Sequence, residues 1–190
     1  MDVDGVIADF DSRVSELLGI DTHSARTAFN TAVDYGEEVH RAIGKLLRDP
    51  SFWVSLPPMP GAAESLRRLR RGLGRANVPF EIRFYSSLPH HYEGLRRWWL
   101  WKVVRAAENM DAVYLRTPRH ATKGDFIMAD HGGVDYYIDD RWDTVATVVE
   151  KGAKGIVHPA PWNHDVPEHL PVKNLEEYVN YVLEDIRNGS

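Results

Sequence analysis

The chain has 190 residues, 43% hydrophobic and 11% aromatic, with no cysteine and a formal net charge of −5. That length holds one domain, or one domain with a small insertion, and the apolar content suffices for a substantial core. The missing cysteine excludes disulfides and thiolate metal sites, and the negative charge argues against general attraction to nucleic acid or anionic membrane. No signal pattern and no apolar run of membrane-spanning length is read, so a soluble, cytoplasmic protein is expected.

Residues 2–10 read Asp-Val-Asp-Gly-Val-Ile-Ala-Asp-Phe, an apolar stretch carrying acids where a strand would end. Residues 11–58 look like two or three helices, with Phe29, Val33, Val39, Ile43 and Leu47 as apolar positions and no convincing long strand. We expect a helical cap over 11–58, closing on a core domain made of residues 1–10 and 59–190. Pro60-Gly61 introduces a helix with Ala62, Leu66, Leu69 and Leu73 on one face and Arg67, Arg68, Arg70 and Arg71 on the other. Residues 81–87 read as a strand ending in Ser86-Ser87, and 92–108 as a helix with Leu95, Trp99 and Val103 in register.

A short strand is expected over 112–115 and a short helix over 123–131. The strand over 134–138 delivers Asp139-Asp140, followed by a helix over 143–151 and a strand over 155–157. Asn174 is a plausible N-cap with Glu177 three residues on, and Leu175, Tyr178, Val179, Val182, Leu183 and Ile186 form the last helix's apolar stripe. Helices alternating with strands after residue 60 predict a mostly parallel α/β sheet.

Acids at the carboxyl ends of neighbouring parallel strands meet in the crevice where open α/β sheets bind ligands. Two unit charges about 4 Å apart repel by roughly 4 kcal/mol at an effective dielectric near 20. Such a cluster needs a cation, a shared proton or wide separation, and a hard divalent ion with oxygen ligands answers the need. Asp2 and Asp4 sit two apart, so both point to one face of an extended chain, and Gly5 then lets the backbone turn close to an ion or phosphate. One carboxylate can attack phosphorus while the other handles the leaving-group proton. Ser86-Ser87 offers hydroxyl and backbone donors for phosphate oxygens. Lys123, opening a helix, favours an anion there.

Other features read as structural. Gly72-Leu73-Gly74-Arg75 imitates part of a dinucleotide loop but fits a helix end and turn. The arginines at 67–71 and 96–97 are expected on solvated faces. Trp98, Trp99 and Trp101 are expected to pack in the core or an interface, and His158, His164 and His169 to be scattered on the surface.

Taken in order, Asp-x-Asp-Gly-Val, strand-Ser, Lys and apolar strand-Asp-Asp resemble the four-motif signature of the haloacid-dehalogenase-like phosphohydrolase superfamily. The resemblance runs from Asp2 to the Pro161-Trp162-Asn163 stretch. Within it, the chain is similar to the 5'(3')-deoxyribonucleotidases in Asp2 to Phe10, Phe52-Trp53, Leu56-Pro57-Pro58-Met59-Pro60-Gly61-Ala62, Ser86-Ser87 and Ile138-Asp139-Asp140-Arg141. It implies a Rossmann-like three-layer α/β domain with a mostly parallel sheet and a small inserted helical cap.

It further implies Asp2 as the nucleophile that forms an aspartyl-phosphate, and Asp4 as general acid and then base. Ser86, Ser87 and Lys123 would hold the phosphoryl group. Mg2+ would be bound by Asp2, the backbone carbonyl of Asp4, and Asp139, with Asp140 in support. Phe10, Phe52 and Trp53 would stack on or enclose a nucleobase.

Two departures stand out. Only Met1 precedes Asp2, where the family runs an apolar strand into its first aspartate. Lys123 lies sixteen positions before Asp139, a long span for that family, which leaves Lys102 and Arg119 as alternatives to Lys123. The expected substrate is a phosphate monoester, a deoxyribonucleoside monophosphate first. A sugar phosphate, or a non-catalytic nucleotide-binding module, stays open, as does a homodimer.

Overall fold

The computed structural model of the chain describes residues 1–22, 27–28, 30–88, 90–102, 111–114 and 122–189. Phe29, Val103, Leu115, Arg119 and the far part of the helix expected over 92–108 lie outside the described residues. The elements are α1 (Phe10–Leu18), α2 (Thr31–Leu46), α3 (Pro50–Val54), α4 (Ala62–Ala76), β1 (Arg83–Ser86), α5 (Glu93–Lys102), β2 (Asp111–Tyr114), α6 (Lys123–Ala129), β3 (Tyr136–Asp139), α7 (Trp142–Glu150), β4 (Lys154–Val157) and α8 (Leu175–Arg187). Short 3-10 turns at His90–Tyr92 and Asp130–Gly132 flank α5 and α6. Among the described residues no helix is long and apolar enough to cross a membrane.

The strands pair in parallel, β1 with β2 and β3 with β4. The first residues of the chain join the two pairs. Val3 N donates to Tyr85 O (3.1 Å) and Tyr85 N to Met1 O (2.9 Å), while Asp2 N donates to Ile138 O (2.9 Å). Alternate residues of this segment therefore bond to β1 on one side and β3 on the other, as an extended chain with a period of two must.

The same alternation sorts the side chains. Met1, Val3, Phe84, Ile138 and Ile156 join one core with Leu66, Leu69 and Leu73 of α4 and with Tyr178, Val179 and Val182 of α8. Tyr85 and Tyr137 join a second core with Ile127 of α6 and Val148 of α7. Close approach of α4 to α8 explains Gly72: a Cβ there would fall 2.4 Å from Leu183 Cδ2. The glycines at 72 and 74 thus belong to a packed helix, which Asn77 ends in a left-handed conformation. Asn174 and Glu177 form the expected capping box on α8.

Between residues 10 and 54 the described elements are the helices α1, α2 and α3, with α2 kinked at Gly36. The chain enters and leaves this stretch side by side, because Asp9 N donates to Pro57 O (2.8 Å) and Met59 N to Ile7 O (2.7 Å). Trp99 Nε1 then donates to Leu56 O (2.8 Å) and Tyr92 Oη to Arg48 O (2.5 Å), tying the stretch to α5 and the turn before it. Val33, expected among the apolar positions, is exposed, whereas Ile43 is buried.

Candidate active site

Asp2, Asp139 and Asp140 are buried, and each offers a carboxylate oxygen, all within 4.8 Å of one another. Local structure delivers them together. Asp2 lies on the segment between β1 and β3, Asp139 closes β3, and Asp140 follows at once. Gly5 turns the first strand away with φ +84°, and its missing side chain leaves the room that Asp140 Oδ2 occupies.

Lys123 enters from α6, whose start is fixed by a capping box between Thr122 and Asp125. Its Nζ lies 2.6 Å from Asp2 Oδ1 and 2.7 Å from Asp139 Oδ2. Despite the long span, it is Lys123 that reaches the acids. Lys102 is exposed, with its ammonium 4.7 Å from the Trp98 ring. Tyr137 Oη (2.6 Å) and Arg141 N (2.9 Å) also donate to Asp139.

One ammonium faces three acids, and burial makes the imbalance costly. Burial first, then the Asp139 charge, pushes the Asp2 carboxyl up to about 7, against the pull of Lys123. Asp140 is raised well above the ordinary carboxylate range, by burial and then by Asp139 and Asp2. Burial also pushes Asp139 upward, but Lys123, Tyr137 and the Arg141 amide outweigh it and hold its carboxyl below the usual value. The Lys123 ammonium is likewise opposed by burial, yet Asp139 and Asp2 raise it above an ordinary lysine. A buried, all-oxygen donor set with surplus negative charge fits a hard cation, and this cluster could hold a metal ion.

Asp4 stands beside the cluster but is turned elsewhere. Its Oδ2 accepts from Ser86 Oγ (2.7 Å) and its Oδ1 from Arg96 Nη2 (2.5 Å). Ser86 is buried with its hydroxyl on Asp4, and Ser87 is the exposed member of the pair that borders the cavity.

Arg96 corrects the expectation of a solvated face. Its exposure is 0%, its guanidinium lies over both the Trp53 and the Trp99 ring, and only its neighbour Arg97 is exposed. The sequence did hold a signal for it. Tyr92, Arg96, Trp99 and Leu100 fall on one helical face, and all four are buried. Of the three tryptophans on α5, Trp99 is core while Trp98 and Trp101 are exposed. His158 is a second correction, being buried with Nδ1 3.1 Å from Pro159 O. His164 and His169 are exposed as expected.

A cavity of about 680 Å³ opens over these groups, within the range of small-molecule sites. Asp2, Asp4, Lys123 and Asp140 form its polar floor, with Phe10 and Trp53 on its wall. Phe52 is 2% exposed and lies behind that wall, its ring edge-on to Phe10 and Trp53 with centroids 5.4 Å from each. Trp162, in the Pro161-Trp162-Asn163 stretch, lines the cavity too. Its indole donates to Asp140 O (3.1 Å), and Asn163 Nδ2 donates to the same oxygen (2.9 Å).

No family model matches the chain. Over 176 residues it is 26% identical to a Bordetella bronchiseptica protein named "Putative 5'(3')-deoxyribonucleotidase", covering 87% of this chain and 84% of that one. A Bordetella pertussis protein with the same name is 26% identical over 177 residues, at 87% and 84% coverage. The chain thus resembles, at low identity, proteins named as nucleotide phosphatases.

Proposed function

We propose that this chain is a Mg2+-dependent phosphomonoester hydrolase acting on deoxyribonucleoside monophosphates, with a haloacid-dehalogenase-like architecture. In this reading residues 1–10 and 59–190 form a three-layer core around the parallel strands, and residues 11–58 form the cap. The observation that carries the reading is Lys123 bridging Asp2 and Asp139 beside Asp140, under a cavity that Asp4 also lines. Nucleophile, cation site, ammonium and a candidate proton carrier then face one space. The names of the two Bordetella relatives support the substrate class.

Asp2 attacks phosphorus, and the bond from phosphorus to the ester oxygen breaks. Asp4 gives that oxygen its proton, so the alcohol leaves neutral and Asp2 carries the phosphoryl group. Asp4, now a carboxylate, takes a proton from water as the water attacks phosphorus. The acyl-phosphate bond breaks, releasing phosphate and restoring Asp2. Lys123 and Ser87 hold phosphoryl oxygens throughout, and Ser86 keeps Asp4 in place. Asp2, Asp139 and the Asp4 carbonyl, with Asp140 in support, would hold a Mg2+ ion whose chemistry is neutralising charge on the phosphoryl oxygens. Phe10 and Trp53, joined by Trp162, offer aromatic faces to a base, while Phe52 braces the first two.

Phosphate release from a panel of nucleoside and sugar monophosphates, with and without Mg2+, tests the reading. Hydrolysis that needs Mg2+, favours deoxyribonucleotides and vanishes in Asp2→Asn and Asp4→Asn is expected. Equal use of sugar phosphates would remove the nucleotide preference. Retained turnover in either variant would remove the mechanism.

A further inference from the structure

Arg96 has no step in the reaction just described, yet it is a fully buried charge beside the cavity. Nη2 donates to Asp4 Oδ1 at 2.5 Å, while Nε and Nη1 are buried without a hydrogen-bond partner among the described residues. The guanidinium carbon lies 5.2 Å from the Trp53 ring centre and 5.4 Å from that of Trp99. Burying a cation with unsatisfied donors is unfavourable, and an arginine on a solvated helix face would avoid that cost. Two indole faces offset part of it. The remaining gain is the carboxylate of Asp4.

Asp4 in turn receives one donor on each oxygen, Arg96 on Oδ1 and Ser86 Oγ at 2.7 Å on Oδ2. Donors at both oxygens fix the carboxyl plane and hold it apart from the cluster of Asp2, Asp139 and Asp140. Trp53, against the guanidinium, comes from the helical stretch that also walls the cavity. One buried side chain therefore links the orientation of Asp4 to the packing of that wall.

We propose that Arg96 is the positioning residue for Asp4, fixing the rotamer from which Asp4 passes a proton to the leaving oxygen and recovers one from water. The proposal rests on the acid-base role given to Asp4 above. Its consequence depends on the leaving group. A nucleoside alkoxide needs that proton, whereas p-nitrophenolate leaves without one. Damage to the acid step slows leaving-group release from the first substrate alone; damage to the later base step, which is common to both, or to the fold falls on both.

The test compares the first-turnover rate of leaving-group release, which precedes the base step, for a deoxyribonucleoside monophosphate and for p-nitrophenyl phosphate. Arg96→Met keeps an apolar chain against the two indoles, and Arg96→Lys keeps the charge. For Arg96→Met we expect a loss in that first-turnover rate on the order of 100-fold on the nucleotide and under about fivefold on the aryl phosphate, while steady-state phosphate release slows on both. Arg96→Lys recovers part of the nucleotide rate. Asp4→Asn shows the same split in the first-turnover rate while its steady-state phosphate release vanishes on both substrates, and the double variant is no slower than Asp4→Asn alone. If Arg96→Met does not fold, the split in Arg96→Lys decides. Equal first-turnover losses on both substrates, or losses that multiply in the double variant, overturn the proposal and leave the hydrolase reading standing. A wild-type protein that hydrolyses neither substrate overturns both.

Discussion

Gly5 lies against Asp140 so closely that a Cβ on Gly5 would sit 2.3 Å from Asp140 Oδ2. The glycine also holds φ +84°, a conformation that other residues adopt at a cost of about 1–2 kcal/mol. Gly5→Ala must strain the turn and displace the carboxylate together. Overpacking adds about 1–3 kcal/mol. We expect a loss of roughly 2–5 kcal/mol in urea unfolding, with activity lost even where the variant stays folded. A wild-type midpoint would show that Asp140 can move aside freely.

The acid cluster predicts a cation-dependent stability. A divalent ion that binds the folded chain alone at about 100 times its Kd contributes about 2.7 kcal/mol, or roughly 5–10 °C in Tm for a chain of this size. Differential scanning fluorimetry with Mg2+ or Mn2+ should show such a rise for the wild type. Asp139→Asn and Asp140→Asn should show little of it. An equal rise in all three would place the ion elsewhere.

Much of the fold was legible because its signals are local. The last helix announced itself through Asn174, Glu177 and a stripe, and the acids of Asp2-Val3-Asp4-Gly5 and Asp139-Asp140 marked their strand ends. Lys123 was legible by order, although its distance from Asp139 in sequence left two other cations open. What periodicity could not supply was depth. Arg96 counts as a surface charge until Trp53, distant in sequence, closes over it. Phe10 and Phe52 are equally aromatic in sequence, yet one borders the cavity and the other lies behind it.

That difference separates two neighbouring phenylalanines. Phe52→Ala removes a ring that is 2% exposed and should cost about 3–5 kcal/mol of stability. Phe10→Ala, on the cavity wall, should chiefly raise KM for nucleotides, with a smaller stability loss. Chemical denaturation and Michaelis kinetics on both variants check the assignment. A large KM effect from Phe52→Ala without destabilisation would reverse it.

The capping box that fixes the start of α6 should lend stability that depends on pH. Bonds from Thr122, then from Lys151, lower the Asp125 carboxyl below its ordinary 3.8. A carboxyl lowered by folding stabilises the native state at pH above its unfolded value, and that gain disappears as pH falls through the folded value. Wild type should therefore be more stable than Asp125→Ala at pH 6, and the gap should close below about pH 3.8. A gap that is unchanged at pH 3 would show that the ionised carboxylate contributes nothing.

The most direct measurement is mass spectrometry of protein acid-quenched during turnover of a deoxyribonucleoside monophosphate with Mg2+. We expect one phosphoryl group on the peptide containing Asp2, removable by hydroxylamine and absent from Asp2→Asn. Turnover with no phosphoryl group on that peptide, or with one on another residue, would contradict Asp2 as the nucleophile beneath this cavity.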